Sequence, residues 1–363
     1  MTRILITGAS GLLGSNLALE WSKTDEIYGL FLSNRPELPR VVPAACNILD
    51  AEGMHRLLGE ICPEIVVHAA AMTNVDACEN DPATAWAVNV QGTANLIQAC
   101  RACPTVTRHI IYISTDYVFS GLRGHYTEAD APSPVNVYGR TKLDGERMIM
   151  ASPIPWTIIR TSFFGWSPVL AGAGNAGTVS GIDAEASSVT GSEKSRRVRR
   201  CFMEQSLASL ESGNVVNAWT NRFSTPLLVN DLAQILIDIA RLGLSGLWHA
   251  GSEQRVSNWQ MLRYLSEHLG AGKSVYEGNR ANSSRAANNV KAANSTSAAN
   301  LVKGATFQSQ PGLGRAERPF DTSLCSYRLQ AALGRNFGDY QQAIQRWLNL
   351  RNTAIHSQLG SIR

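Results

Sequence analysis

Charge is scarce in this chain. Asp, Glu, Lys and Arg make up 17% of its 363 residues, against about a quarter in an average soluble protein. The signs nearly balance, leaving a formal net charge of +4, too weak to argue for nucleic acid or an acidic membrane surface as a partner. No run reaches the roughly 18 apolar residues of a membrane-spanning helix. The N-terminus has no basic segment leading into an apolar core and a cleavage site, because Arg3 to Gly8 enters a strand at once. No secretory signal is therefore expected. Cysteine is sparse: seven are scattered along the chain, an odd number without the spacing of a disulfide framework. A reduced, cytoplasmic chain is expected. Cys100 and Cys103 stand in CxxC spacing without a second pair and read as packed thiols, so no metal site is expected.

What is present is an alternation of strands and helices. Arg3–Thr7, Ile27–Leu32, Glu64–Ala71, His109–Ser114 and Trp156–Phe163 read as apolar strands. Leu12–Trp21, Asp81–Cys103 and Asn136–Met150 read as helices between them. Repeated βα units of this kind predict an α/β fold, a Rossmann-type doubly wound parallel sheet over 1–165. Beyond it, 166–363 is expected to form a smaller C-terminal substrate-binding lobe, with parts of 215–250 returning to the first domain. Asp231–Leu242 and Ser257–Leu269 are predicted helices, the second opened by a capping box from Ser257 to Gln260. Gly246–Ala250 is a predicted strand, and a last helix is expected near Tyr340–Leu350. Two stretches, 171–195 and 277–314, are rich in small polar residues and read as low-complexity insertions.

Gly8-Ala9-Ser10-Gly11-Leu12-Leu13-Gly14 joins the first strand to the first helix. Glycines there permit a sharp turn, close approach of backbone N–H groups to a pyrophosphate, and tight helix–strand packing. The helix start then faces the phosphates with unpaired N–H groups and the positive end of its dipole. At the end of the second strand, an NAD site usually carries an acidic residue for the ribose hydroxyls. Here the chain reads Ser33-Asn34-Arg35. Arg35 suits a 2′-phosphate, which favours NADP(H) while leaving NAD(H) open.

Tyr138 and Lys142 stand four residues apart, on one face of a predicted helix. A tyrosine with its ordinary pKa near 10 is a poor acid–base at neutral pH. A neighbouring ammonium is expected to stabilise its phenolate, so that it exchanges a proton with a carbonyl or alcohol oxygen as hydride moves. Ser114 and Thr115, at the preceding strand end, offer a hydroxyl to the same oxygen.

With Ala69 to Asp76, Asn89 to Thr93, Ser114 to Phe119 and Ser133 to Glu146 added, residues 1–165 resemble the extended short-chain dehydrogenases, and more narrowly the dTDP-4-dehydrorhamnose reductase family. The likeness returns at Asn221 to Pro226 and at Arg318 to Ser323. The resemblance implies a catalytic set of Thr115, Tyr138 and Lys142, with Tyr138 and Lys142 also contacting the cofactor. It implies pyrophosphate contacts at Gly8, Ser10, Gly11, Leu12, Leu13 and Gly14, and places Asn47 and Ile48 by the adenine. Ala69, Ala70 and Ala71 would lie on the nicotinamide side, and Thr73, Asp116 and Asn136 would approach the substrate. The implied reaction is reduction of a 4-keto nucleotide-sugar with NADP(H); some members need Mg²⁺, and a homodimer is left open. Two other branches also fit. One is a non-catalytic, NADP-binding subunit like that of methionine adenosyltransferase, resembled at Asp144 to Glu146 and Leu247 to Gln254. The other is a nucleotide-sugar epimerase or dehydratase.

Lys194 to Arg200 is a basic run that reads as a solvated loop. His68 reads as a packed strand residue, and the sequons at Asn282 and Asn294 as chance matches in an Asn-rich stretch.

Overall fold

The computed structural model describes residues 1–103, 107–167, 201–269, 302–305 and 315–351. Its strands, in chain order, are β1 (Arg3–Thr7), β2 (Glu26–Phe31), β3 (Val41–Ala45), β4 (Ile65–His68), β5 (His109–Thr115), β6 (Trp156–Thr161), β7 (Phe163–Phe164), β8 (Val216–Trp219), β9 (Phe223–Ser224), β10 (Leu227–Leu228), β11 (Gly246–Ala250), β12 (Val256–Ser257) and β13 (Val302–Ala305). The helices are α1 (Leu12–Trp21), α2 (Ala51–Ile61), α3 (Val75–Asn80), α4 (Pro82–Trp86), α5 (Gly92–Ala102), α6 (Val137–Met150), α7 (Phe202–Glu211), α8 (Val229–Leu242), α9 (Asn258–His268), α10 (Tyr327–Leu333) and α11 (Tyr340–Leu350).

Seven strands form one parallel sheet in the order β11-β6-β5-β4-β1-β2-β3. Successive side chains on a strand point to opposite faces, and the core divides accordingly. Ile4, Ile6, Val67, Ile111 and Ile159 pack with α1 and α8 on one side. Leu5, Val66, Ile110, Tyr112 and Ile158 pack with α2 and α5 on the other. The chain runs outward from β1 to β3 on one side and from β4 to β11 on the other. The crevice where the direction reverses, at the C-terminal ends of β1 and β4, is where ligands bind in such sheets.

The first core layer continues into the C-terminal elements through Val216, Leu262, Ile344 and Trp347. These elements add three two-stranded pairings, β7 with β10, β8 with β13 and β9 with β12. No helix among the described residues is long and apolar enough to cross a membrane.

The structure adds elements that the sequence reading did not give, α3, α7, α10 and β8 to β10 among them, and departs from it in four further places. Nothing was expected between residues 33 and 63, yet β3 and α2 lie there. β3 carries Pro43, which conceals a strand in sequence; at the sheet edge its missing N–H is tolerated. α2 starts at Asp50, whose carboxylate accepts from Gly53 N at 2.9 Å. The single helix expected over Asp81–Cys103 is present and continuous from α4 to α5, but its winding widens to a π turn at Ala87–Gln91. β7 is separate from β6. Finally, β13 lies within 277–314, where only a loop was expected. The rest of that stretch, the insertion at 171–195, the run from Lys194 to Arg200, and Asn282 and Asn294 lie outside the described residues.

Candidate active site

Four elements meet at the crevice: the turn after β1, the exit of β4, the end of β5 and the first turns of α6. In the turn, Gly8 adopts φ +72°, and a Cβ there would lie 2.9 Å from the Cα of Ala70. A Cβ on Gly14 would lie 2.2 Å from the carbonyl oxygen of Gly8. Both contacts are with backbone, which cannot swing aside. α2, α3, α4 and α6 are capped by the side chains of Asp50, Asn74, Asp81 and Asn136. α1 instead begins at exposed Gly11 with no side-chain cap, so its first N–H groups suit an outside anion. Leu13 is core, so only its backbone faces the cradle. Ser33, Asn34 and Arg35 are exposed just beyond β2, and Asn47 is exposed beyond β3. Ile48 is buried against α5, where a Cβ on Gly92 would lie 2.7 Å from its Cδ1.

The exit of β4 is held by a buried polar network. Thr7 Oγ1 accepts from the N–H groups of Ala69 and Ala70, at 3.1 and 3.0 Å. It lies 2.7 Å from His68 Nδ1, and His68 Nε2 lies 3.0 Å from Thr93 Oγ1. Thr93 donates its own proton to Asn89 O, which makes His68 the donor at Nε2 and Thr7 the donor at Nδ1. Burial, with a smaller effect from Lys142, pushes His68 down to about 3, so it stays neutral. Asn89 accepts from Met72 N at 2.8 Å and donates to Met72 O and to Thr141 Oγ1. It sits on the π turn, a geometry found most often at functional sites. Sequence reasoning gave Asn89 no role; an amide set within the apolar run Ala87 to Val90 was the available signal.

At the end of β5 the two candidate hydroxyls separate. Ser114 turns inward and donates to Glu146 Oε1 at 2.5 Å. Thr115 donates to Asp116 Oδ1 at 3.1 Å and meets the hydroxyl of Tyr138. Asp116 also accepts from Thr322 Oγ1 at 2.5 Å. Burial raises its carboxyl to about 6, against the opposing pull of Thr322, Thr115 and Arg222. Arg222 donates to the Tyr117 hydroxyl at 2.5 Å, and the Tyr117 ring stands edge-on to Tyr138 with centroids 6.0 Å apart. The two C-terminal sequence patches thus converge here, paired through Phe223 N to Phe320 O and Thr322 N to Phe223 O.

Two expectations are corrected. Tyr138 was expected to be acidified by Lys142. Instead its hydroxyl is held above the usual tyrosine range, first by burial and then by Asp116 and Tyr117, with Thr115 opposing. The Lys142 Nζ stands over the ring of Tyr112, 4.0 Å from its centroid, and burial pulls it down to about 7 despite Glu146. Asn136 was expected to approach substrate. It is fully buried, caps α6 by accepting from Gly139 N, and donates to Glu317 O at 2.8 Å. Thr73, by contrast, is exposed on the β4 exit loop.

Lys142 gives a pH prediction. In the unfolded chain its ammonium keeps a proton up to the ordinary value of 10.5, whereas the folded chain gives it up at about 7. Between these values the unfolded state binds more protons, so this group's contribution to stability rises with pH. Lys142→Met is expected to remove that rise, read as the change in urea midpoint between pH about 7 and 9.

A sequence profile described as the RmlD substrate binding domain matches residues 1–168. Methionine adenosyltransferase 2 subunit beta of Rattus norvegicus is 31% identical over 266 residues, covering 71% of this chain and 70% of the relative. The chain belongs to the RmlD substrate binding domain family. A second relative of this RmlD-family chain, the dTDP-4-dehydrorhamnose reductase of Aggregatibacter actinomycetemcomitans, is 26% identical over 356 residues, 95% of this chain and 98% of the relative. Among solved structures, the dTDP-4-dehydrorhamnose reductase of Bacillus anthracis in complex with NADP superposes with a TM-score of 0.68 at 20% identity, covering 96% of this chain and 99% of that one. That likeness carries the RmlD-family fold.

Proposed function

We propose that this chain is an NADP(H)-dependent oxidoreductase that reduces the 4-keto group of a nucleotide-linked sugar. What supports the reading is an α1 start without a side-chain cap, Thr115 at the end of β5 beside the hydroxyl of Tyr138, and Lys142 one turn further along α6. The cradle fits a dinucleotide: glycine is required at 8 and 14 by backbone contacts, and α1 starts without a side-chain cap. In this reading Gly8, Ser10, Gly11 and Gly14, with the backbone of Leu12 and Leu13, hold the pyrophosphate. Ser33, Asn34 and Arg35 take the 2′-phosphate, Asn47 and Ile48 border the adenine, and Ala69 to Ala71 border the nicotinamide. The bound nicotinamide supplies the hydride. Tyr138 donates the proton to the carbonyl oxygen, Thr115 bonds the same oxygen, and Lys142 provides positive charge beneath them. The hydroxyl carries its proton in the free protein; a general acid works best with its pKa near the operating pH, so this reading requires the Lys142 charge to oppose the effect of burial. Thr73 and Asp116 border the sugar. Among the described residues no group of three or more His, Cys, Asp or Glu converges on one point, and no step of this reading uses Mg²⁺.

The test is NADPH oxidation with dTDP-4-dehydrorhamnose and other 4-keto nucleotide-sugars. Binding of NADPH without turnover of any of them would overturn the catalytic reading. It would favour the second one, a nucleotide-binding subunit of another enzyme, which draws on the 31% identity to methionine adenosyltransferase 2 subunit beta. Product stereochemistry, and whether the cofactor is consumed or recycled, separates the reductase from an epimerase or dehydratase. Cofactor choice gives a further prediction. Arg35→Glu is expected to weaken NADPH about 10- to 100-fold, as for loss of a charged hydrogen bond, with little change for NADH; fluorescence titration of both nucleotides checks it.

A further inference from the structure

Beneath the candidate site lies a second charge group, sealed from solvent. Glu146 and Arg160 have side-chain exposures of 0% and 2%. Arg160 donates through Nε to Oε1 at 2.9 Å and through Nη2 to Oε2 at 2.7 Å, and Ser114 adds its hydroxyl to Oε1. The carboxylate is thus fixed from β5 and β6 while it rides on α6. A carboxylate in bidentate contact with a guanidinium is held in one orientation.

Glu146 stands one helical turn beyond Lys142, and residues four apart on a helix share a face. Lys142 is itself buried. It is faced by Tyr112 from β5, His68 from β4, Tyr138 and Glu146 from its own helix, and Arg160 of β6 through Glu146. The two tyrosines are neutral and so is His68, as is His249, the β11 neighbour of Arg160 in the sheet register. Glu146 is the one negative charge in this set. A buried ammonium without a counter-charge gives up its proton.

We propose that Glu146, clamped by Arg160 and Ser114, is the positioning residue that keeps Lys142 an ammonium inside the protein. The ion pair is then more than a clip between α6 and the sheet, because it sets the charge under Tyr138. Its catalytic consequence rests on the function proposed above, whereas the charge coupling is measurable without substrate.

The chain has six lysines, few enough to follow by the NMR shifts of their ¹³Cε groups, with Lys142 assigned by its loss in Lys142→Met. Glu146→Gln is expected to lower the Lys142 titration midpoint by about one pH unit or more. That variant leaves Arg160 uncompensated and can fail to fold. The double variant Glu146→Gln/Arg160→Met has no buried pair to compensate, a replacement proteins often tolerate; because it also removes the opposing charge of Arg160, its fall is expected to be smaller than that of Glu146→Gln but in the same direction. A Lys142 midpoint that stays at the wild-type value in the folded double variant overturns the proposal, since a mere clip predicts that result. In turnover assays, the alkaline limb of the pH–rate profile moves down with the midpoint. A midpoint shift in a wild-type background without turnover would leave the charge coupling standing and remove the reductase reading. Turnover with an unmoved midpoint would do the reverse.

Discussion

Tyr138→Phe is expected to lower the turnover number by about 10²- to 10⁴-fold, the usual worth of a positioned general acid. NADPH affinity should change little, because the substitution removes one oxygen and leaves the cradle untouched. The size of the effect follows from the surroundings of the hydroxyl. It meets Thr115, and burial together with Asp116 and Tyr117 keeps it protonated. No neighbouring hydroxyl takes over its role: the Thr115 alcohol is a far weaker acid than a phenol, and Tyr117 is bonded by Arg222. Single-turnover kinetics with a 4-keto nucleotide-sugar would isolate the chemical step. Equal rates for wild type and variant would remove Tyr138 from the chemistry. Tyr117→Phe is the control, expected to have a far smaller effect, since it deletes a bond to Arg222 and no proton donor.

Arg160→Ala is expected to produce the largest loss of stability, about 3–5 kcal/mol, as for breaking a buried pair and leaving one charge unmatched. Against a total of about 5–15 kcal/mol, this brings the chain near its unfolding threshold. Arg160 makes two bonds to Glu146 and lies over Phe119, its Cζ 5.1 Å from the ring centroid. Removing it strips the guanidinium from a carboxylate that cannot reach water. Arg147→Ala, one residue along from Glu146, breaks a bond to Asp144 at 2.6 Å. That pair is exposed, so the expected loss is below about 1 kcal/mol. Urea denaturation of the two variants side by side tests the contrast. Similar midpoints would mean that the buried pair contributes no more to stability than the exposed one.

Much of the architecture was legible in the sequence because it depends on local pattern. Continuous apolar runs gave β1, β5 and β6, and the Ser257 to Gln260 box placed the start of α9, where Ser257 Oγ accepts from Gln260 N at 3.2 Å. β3 was hidden by Pro43, which penalises a strand everywhere except at an edge, and edge position is a property of the sheet. The π turn at Ala87–Gln91 was hidden because a five-residue change of winding leaves the apolar pattern of a long helix almost intact. Arg160 in an apolar strand gave no sign of its partner, since Glu146 lies on a different element.

By itself the sequence determined the parallel α/β frame, the glycine turn, and the pairing of Tyr138 with Lys142 on one helix. Each is set by short-range geometry: strand and helix period, the steric demands at Gly8 and Gly14, and the four-residue helical repeat. Only the tertiary structure decided which neighbours give those residues their chemistry. It turned Ser114 toward Glu146 and Thr115 toward Tyr138, brought Thr322 and Arg222 from the distant C-terminal patches to Asp116 and Tyr117, and set Lys142 over Tyr112. Protonation in a buried site is governed by desolvation and by charges within a few ångströms, and those distances exist only once the sheet has assembled.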